Sequence, residues 1–376
     1  MMKKKKRIHY YRTVMVNSSD IVYWFINGFS VFSAFIFSKI TKKNFSDYMT
    51  RKRIINEVRK TCRDYSEKDN QDRQTLKCWT AQLENAVRVR VRFNKKATET
   101  EYQHFKETVE LHTSVTTVLQ KYKGYLYFDV LVSLHPKKEV QATRTTVSVG
   151  TGFDGLTFWD WVQYPHCLIV AETGQGKSVF VRYVLNGLFT SNTDVWLVDG
   201  KMVDYYSYRD LFTRYISNEV SNIEQVIDFV HAFRLEMLER QQKLKSMGLT
   251  NFVDDESMNS KILVLEEYIV LLDCMTKKQR EVFEEDIRAI LLLGRAMGYD
   301  LLVTMQRGDT AYIKGAMRDN FMCRVLLGSF SDTSSRMMFD DTLKSLEVGK
   351  AWIGQGDRIE VNAIPYYATL QVLKND

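Results

Sequence analysis

The sequence has few of the residues that mark disordered, disulfide-bonded or metal-binding chains. Only 3 of its 376 residues are proline and 45% are hydrophobic, which is the composition of a packed globular protein rather than of a disordered one. Its 5 cysteines are scattered without a Cys-x-x-Cys pair, which is typical of a reducing compartment and gives no support for a metal site. Internal repeats and low-complexity segments are also missing. We therefore expect one large domain and a smaller one.

Long hydrophobic runs are scarce as well. Residues 21–38 (IVYWFINGFSVFSAFIFS) are 18 uncharged residues that include Asn27, a length at the short end of the range for a transmembrane helix. A cleaved signal peptide is not expected, because no small-residue cleavage motif follows. A single span with a cytosolic downstream domain would place the basic residues 3–7 outside, against the positive-inside tendency. We expect residues 1–45 to associate with a membrane, and a span, an interfacial helix and a buried core helix remain alternatives.

Acidic residues are scarce in the first 100 residues, which contain 23 Lys and Arg but only 9 Asp and Glu. The rest of the chain has the opposite balance, with 30 basic and 37 acidic residues. A basic N-terminal end favours an anionic neighbour, either phospholipid or nucleic acid, although a solvated basic tail is also compatible with it.

The segment before residue 140 predicts a helical connector and a small α/β module. Residues 46–82 are charged and helix-permissive, and we assign the module to 83–140. Within it, AVRVRVRF (86–93) alternates as a half-buried strand does, a helix is expected at about 99–121, and GYLYFDVLVSL (124–134) is a second strand. The arginines of the first strand share one face, which could contact DNA phosphates or form the solvated face of an edge strand.

Residues 145–376 alternate between strands and helices, which predicts a parallel sheet. We expect strands at 166–171, 194–199, 261–266, 300–305 and 322–328, and helices at 177–190, 221–247, 276–297 and 310–319.

The stretch CLIVAETGQGKS leads from an apolar strand through a polar turn into a helix, as a phosphate-binding loop does. Gly174 and Gly176 leave the backbone free to turn its N–H groups toward phosphate oxygens. Lys177 would reach the β- and γ-phosphates, Ser178 would give a hydroxyl to Mg²⁺, and the helix N-terminus adds its dipole. The predicted nucleotide-binding residues are Ala171, Glu172, Thr173, Gly174, Gln175, Gly176, Lys177 and Ser178. Ala171 stands where the usual pattern has glycine.

Two further strand ends supply candidates for hydrolysis. The apolar run KILVLEEYIVLL ends its strand at Glu266 and Glu267. We expect Glu266 to join Ser178 in holding Mg²⁺ and Glu267 to polarise the attacking water. The first of these positions is normally aspartate, so the metal geometry at Glu266 is an open point. Gln306, at the end of LLVTMQRG, is expected to sense the γ-phosphate.

Together with these motifs, several segments resemble the FtsK/SpoIIIE family of hexameric DNA translocases, over about 145–365. They keep the family's order. The similar segments are YPHCLIVAETGQGKS (164–178), LVDGKMV (197–203), LEMLERQQKLKSMGLTNF (235–252), LGRAMGYDLLVTMQR (293–307) and SDTSSRMMFD (331–340). Two departures are Gly200 in place of the family's proline and Asp300 in place of its histidine.

The resemblance implies a RecA-like P-loop NTPase core that uses ATP and Mg²⁺ and forms a homo-hexamer around DNA, single- or double-stranded. It also suggests Arg295 as an arginine finger and, more weakly, Arg336 at an interface. The membrane segment, and the absence of a sequence-reading domain after residue 376, favour a conjugative coupling protein at the cytoplasmic face of a bacterial membrane, with relaxosome and transfer-channel proteins as partners. A nucleotide-binding scaffold without turnover and an ATPase for protein secretion or pilus assembly are the alternatives.

Overall fold

The computed structural model describes residues 51–60, 77–82, 86–92, 107, 117–122, 125–131 and 140–370, the last without 154, 218–222 and 368. The chain forms two compact units, Met1–Leu134 with Phe153–Gly155 and His135–Gly152 with Leu156–Asp376. Within the described ranges, no helix is long and apolar enough to cross a membrane. The segment at 21–38, to which we assigned membrane association, lies outside the described residues.

The smaller unit contains a helix and a four-stranded antiparallel sheet. Helix α1 covers residues 51–60 and buries Ile54 and Val58. The strands are β1 (Lys77–Gln82), β2 (Ala86–Arg92), β3 (Thr117–Tyr122) and β4 (Tyr125–Leu131), in the order β1-β2-β4-β3. The arginine-bearing β2 pairs on both sides, so it is an inner strand and the edge-strand interpretation is wrong.

Two sequence-based assignments in this unit need correction. The end of the helix expected at about 99–121 is strand β3, since the segment from Val115 to Val118 is rich in β-branched residues, which favour strands. Strand β1 lies inside the range assigned to a helical connector. It pairs residue for residue with the following strand β2, from Lys77 with Arg92 to Gln82 with Val87, and helix propensity does not reveal this strand pairing.

The larger unit is an eleven-stranded sheet with helices in the connections. Its strands are β5 (Ala142–Thr143), β6 (Thr146–Gly152), β7 (Gly155–Asp160), β8 (Cys167–Val170), β9 (Asp194–Asp199), β10 (Arg214–Ser217), β11 (Lys261–Leu265), β12 (Tyr299–Met305), β13 (Cys323–Leu327), β14 (Lys350–Gln355) and β15 (Arg358–Ala363). Its helices are α2 (Lys177–Thr190), α3 (Ile223–Met247), α4 (Tyr268–Asp273), α5 (Lys277–Met297), α6 (Gly315–Arg318) and α7 (Asp332–Phe339).

The sheet has a parallel part and an antiparallel part. Strands run β10-β9-β11-β12-β8-β13 in parallel, and the path continues antiparallel through β14, β15, β6 and β5. The parallel strands β8, β11 and β12 are almost wholly buried, which is why they read as continuous apolar runs. The predicted α/β class with a parallel sheet is confirmed.

The helix expected at 310–319 is only the short α6. Asp309 explains the difference, because its side chain accepts a hydrogen bond from Ala311 N at 2.9 Å and its carbonyl accepts those of Tyr312 and Ile313. An aspartate that bonds the following backbone in this way favours a turn over a helix.

Polar groups buried at the amino end of the parallel strands fix α3 and α5 on the sheet. Arg240 donates to the carbonyls of Asn259 and Met297, at 2.8 and 2.9 Å, and lies over the Tyr299 ring. The backbone N–H of His166 donates to Asp300 Oδ1 at 3.1 Å. These contacts align the strands whose opposite, carboxyl ends form the site described next.

Candidate nucleotide-binding site

The predicted site residues, except Arg295, converge at the carboxyl ends of β8, β9, β11 and β12. In open α/β sheets, ligands bind at this edge of the strands. Ala171 directly follows β8, is fully buried and donates its N–H to Met305 O at 3.1 Å. Its φ is not positive, so the position does not require glycine and the methyl group is accommodated in the core.

The loop from Glu172 to Gly176 has the backbone of an anion cradle. Gly174 and Gly176 adopt φ values of +82° and +91°, which side-chain-bearing residues rarely adopt. A Cβ added at either would meet no atom within 4 Å, so there is open space beside both glycines. Helix α2 then begins at Lys177 and directs its positive N-terminus into that space.

Four predicted side chains meet beyond the loop. Lys177 is buried and its Nζ forms an ion pair with Glu267 Oε1, while Glu266 Oε1 lies 3.6 Å from the same nitrogen. Gln306 donates from Nε2 to Glu267 Oε1 at 3.1 Å. Lys177 and Gln306 therefore both contact Glu267, the carboxylate that we predicted to polarise the attacking water.

The backbone of Glu267 holds this geometry in place. Glu267 lies in the left-handed region, with φ 54° and ψ 56°, two residues after the end of β11 and directly before α4. Its N–H donates to Thr304 Oγ1 at 3.0 Å, a residue of the neighbouring β12. Left-handed backbone at a non-glycine residue costs energy and is enriched at functional sites.

The two carboxylates titrate differently because their surroundings differ. Burial raises the pKa of Glu266 to about 7, with Glu267 adding to the rise and Lys177 opposing it. Burial also acts on Glu267, but hydrogen bonds from Lys177 and Lys201 outweigh it and lower the pKa. Glu267 is therefore the carboxylate that stays ionised at neutral pH.

The loop after β9 contributes two groups that the sequence did not assign to the site. Lys201 Nζ forms an ion pair with Glu267 Oε1, and Ser178 donates from Oγ to Asp204 Oδ2 at 3.1 Å. A Cβ on Gly200 would lie 2.2 Å from Glu266 O, so glycine allows this loop to pass close to the strand end. The Asp-Gly-Lys motif was the available signal for Lys201, and none pointed to Asp204.

Loop contacts also connect the phosphate-binding loop with the segment between β13 and α7. Ser329 donates its N–H to Gln175 Oε1 at 2.9 Å, just after β13. Gly308, which lies shortly after Gln306, donates its N–H to Ser334 Oγ at 3.0 Å. The segment from Ser329 to Ser334, which leads from β13 into α7, therefore contacts segments that follow both β8 and β12.

The structure does not bring Arg295 together with the other predicted groups. Arg295 lies in the last turn of α5, is exposed, and donates from Nε to Val162 O at 2.8 Å. The seven-residue strand β12 lies between Arg295 and Gln306, a separation of about 23 Å at the usual rise per residue. Arg336 is exposed on α7 and donates to Thr342 Oγ1 at 3.1 Å. Within its own chain, Arg295 does not reach this site.

The residues fit a nucleotide with its divalent cation. Oε2 of Glu266 and Oε2 of Glu267 are buried and have no hydrogen-bond partner among the residues that the structure describes. The described ranges contain no group of three or more His, Cys, Asp or Glu side chains that could hold a metal alone. The two free carboxylate oxygens suit Mg²⁺, which typically binds through one or two carboxylates together with substrate phosphates.

The fold and the geometry of the site define a RecA-like P-loop NTPase. The chain belongs to the FtsK/SpoIIIE family, which matches residues 131–343 and whose members are P-loop ATPases. The resemblance found in the motifs is thereby confirmed.

Relatives and solved structures agree with this assignment. The chain is 26% identical over 252 residues to the FtsK domain-containing protein YdcQ of Bacillus subtilis, covering 63% of this chain and 49% of that protein. It is 30% identical over 218 residues to the DNA translocase FtsK of Chlorobaculum tepidum, covering 53% and 26%. The chain thus spans half or less of these relatives. The conjugation coupling protein TcpA of pCW3, solved in a monomer form with ATPγS, has a similar fold, with a TM-score of 0.56 and 20% identity over 82% of this chain and 95% of that one.

Proposed function

We propose that this protein is an ATP-driven DNA translocase of the coupling-protein type. The observation that carries the proposal is the convergence of Lys177, Gln306 and Glu267 beside an open glycine-rich loop. Membership of the FtsK/SpoIIIE family supports DNA as the track. The similarity in fold to TcpA supports a role in conjugation.

We assign the following roles to the site. Lys177 and the N–H groups from Gly174 to Ser178 bind the phosphates of ATP, and Ser178 and Glu266 hold Mg²⁺, which neutralises phosphate charge when bound. Glu267 accepts a hydrogen bond from the attacking water and orients it. Gln306 donates a hydrogen bond to Glu267. We assign to it the sensing of the γ-phosphate, from its position at the end of β12.

The assembly we propose is a homo-hexamer around DNA at the cytoplasmic face of the membrane. Arg295 then acts on the nucleotide of a neighbouring subunit, because β12 separates it from the site of its own chain. Arg336 is assigned to a subunit interface. The basic residues 1–45 provide the membrane association, and relaxosome and transfer-channel proteins are the expected partners.

The test is steady-state ATP hydrolysis by the full chain, with no DNA, with single-stranded DNA and with duplex DNA of equal length. We expect DNA to raise turnover, and the more effective form identifies the track. Lys177→Ala, which removes the charge facing the phosphates, is the control and should be inactive with every DNA. Turnover without any response to DNA favours a secretion or pilus ATPase, and nucleotide binding without turnover favours a scaffold.

A further inference from the structure

Lys201 is a second cation on the catalytic carboxylate, supplied by a different strand from that of Lys177. Its Nζ pairs with Oε1 of Glu267, the oxygen that also accepts from Lys177 and Gln306. A single carboxylate oxygen thus has three donors from three separate loops. Each donor therefore restricts where Glu267 can point.

The loop that carries Lys201 is fixed independently of the nucleotide. Asp199 Oδ1 accepts the N–H groups of Lys201 and Met202, at 3.3 and 3.0 Å. Asp199 Oδ2 accepts from Tyr205 N at 3.3 Å and from the Tyr215 hydroxyl at 3.0 Å. Because Asp199 is itself buried at the end of β9, the backbone of Lys201 is anchored to the sheet.

Lys177 cannot keep its ion pair with Glu267 unchanged throughout a catalytic cycle. The lysine of a phosphate-binding loop reaches the β- and γ-phosphates when nucleotide is present. Gln306 is neutral, so Lys201 is then the cation still paired with Glu267 among the contacts seen here. An ion pair of this kind orients a carboxylate more firmly than a neutral donor does.

We propose that Lys201 is a positioning residue that holds the Glu267 carboxylate in place once the phosphates of ATP engage Lys177. The proposal rests on the ATPase function proposed above. It gives a function to the pairing of β9 with β11, which brings the Asp-Gly-Lys motif after β9 close to Glu266 and Glu267 after β11. It also gives Glu267 a second cation from the same chain.

The test compares Lys201→Ala, Lys201→Gln and Lys201→Arg with the wild-type full chain. We expect the first two to lower kcat about 10- to 100-fold, less than the roughly 10²–10⁴-fold that a general base contributes. KM for ATP and the affinity for a fluorescent ADP analogue should stay within about threefold, since Lys201 contacts Glu267 rather than the loop. Lys201→Arg should recover most of the turnover. Arg209→Ala, which removes an exposed cation eight residues further along the connection from β9 to β10, is the matched control with unchanged kinetics.

Several outcomes would overturn the role of Lys201. Wild-type turnover in Lys201→Ala, or increased turnover, would show that the ion pair is dispensable or restrains Glu267. A loss of ADP affinity equal to the loss of kcat would show a structural role instead. An inactive wild-type chain would overturn the proposed function together with this inference, whereas an active wild type with an equally active Lys201→Ala variant would remove Lys201 alone.

Discussion

At the scale of single residues, Glu266 and Glu267 are adjacent but differ in their surroundings. Oε1 of Glu267 contacts the side chains of Lys177, Lys201 and Gln306. Oε1 of Glu266 lies farther from Lys177 Nζ, at 3.6 Å. We expect Glu267→Gln to bind ATP normally and to hydrolyse it at least about 100-fold more slowly, the lower limit for loss of a general base. Glu266→Gln should instead raise the Mg²⁺ concentration needed for turnover. Rapid-quench hydrolysis over a Mg²⁺ titration measures both, and exchanged phenotypes would reverse the two assignments.

Asp300 gives a prediction about pH at the same scale. Burial raises the pKa of Asp300 to about 7, from 3.8. Between about pH 4 and 7 the folded chain keeps this proton while the unfolded chain loses it, so the carboxyl group makes wild-type stability fall as pH rises through this window. Asn at this position can still accept from His166 N–H. The free energy of unfolding of Asp300→Asn should therefore rise relative to wild type between about pH 4 and 7 and then stay constant.

Urea unfolding at a series of pH values measures this difference. Asp210→Asn is the control, because it makes the same substitution at a carboxylate that is 91% exposed. Parallel stability curves for wild type and Asp300→Asn would show that Asp300 is ionised in the folded chain.

Much of the site at this scale followed from the sequence, and its limits have physical causes. Lys177 was predicted from the glycine-rich loop pattern. Glu266, Glu267 and Gln306 were predicted because they follow apolar strands, and parallel strands bring such ends to one edge. Asp204 lies in a loop, and its contact with Ser178 depends on how that loop folds back. No periodicity or motif encodes such a contact.

At the scale of elements, the β9 loop and the end of β11 fit closely at Gly200. The Cβ of an alanine there would lie 2.2 Å from Glu266 O, a backbone atom that cannot move without shifting both carboxylates. We expect Gly200→Ala to lower the free energy of unfolding by about 1–3 kcal/mol, as overpacking does, and to reduce ATP turnover. Gly315→Ala is the control, since a Cβ there meets no atom within 4 Å. Chemical denaturation measures the free energy of unfolding. If this free energy and the ATP turnover are the same in both variants, the close packing at Gly200 is contradicted.

The sequence predicted two kinds of element well, namely strands that are buried on both faces and long helices. Strands β8, β9, β11, β12 and β13 and helices α2, α3 and α5 were found within a few residues of their bounds. The antiparallel strands β14 and β15 were missed, as were β5 to β7. Part of their pairing is local, as between Gln355 and Arg358 or between Thr143 and Thr146. The contact of Ala363 with Thr151 joins segments that are distant in sequence, and no local pattern defines it.

At the scale of the whole molecule, the proposed ring gives Arg295 a function that a single chain cannot. An arginine supplied by another subunit contributes about 10³–10⁵ in rate in related phosphoryl transfers. We expect Arg295→Ala to bind ATP and hydrolyse it poorly. Mixing it with Lys177→Ala under conditions of subunit exchange should restore part of the turnover, because one interface of the mixed ring has an intact loop and an intact arginine.

The control for this experiment is each variant mixed with itself. Mixed oligomers that are shown to form but do not recover activity would remove Arg295 from the site. Normal turnover of Arg295→Ala by itself would have the same consequence.

Translocation is the central claim, and displacement of a third strand from a DNA triplex measures it most directly. The full-length protein should release the triplex strand from a duplex in the presence of ATP and Mg²⁺, with a delay that grows with the length of duplex between the loading end and the triplex. Lys177→Ala should not release it, and ATPγS should not replace ATP. Efficient ATP hydrolysis stimulated by the same duplex, without any strand release, would contradict the account, because it would show a DNA-dependent ATPase that does not move along DNA.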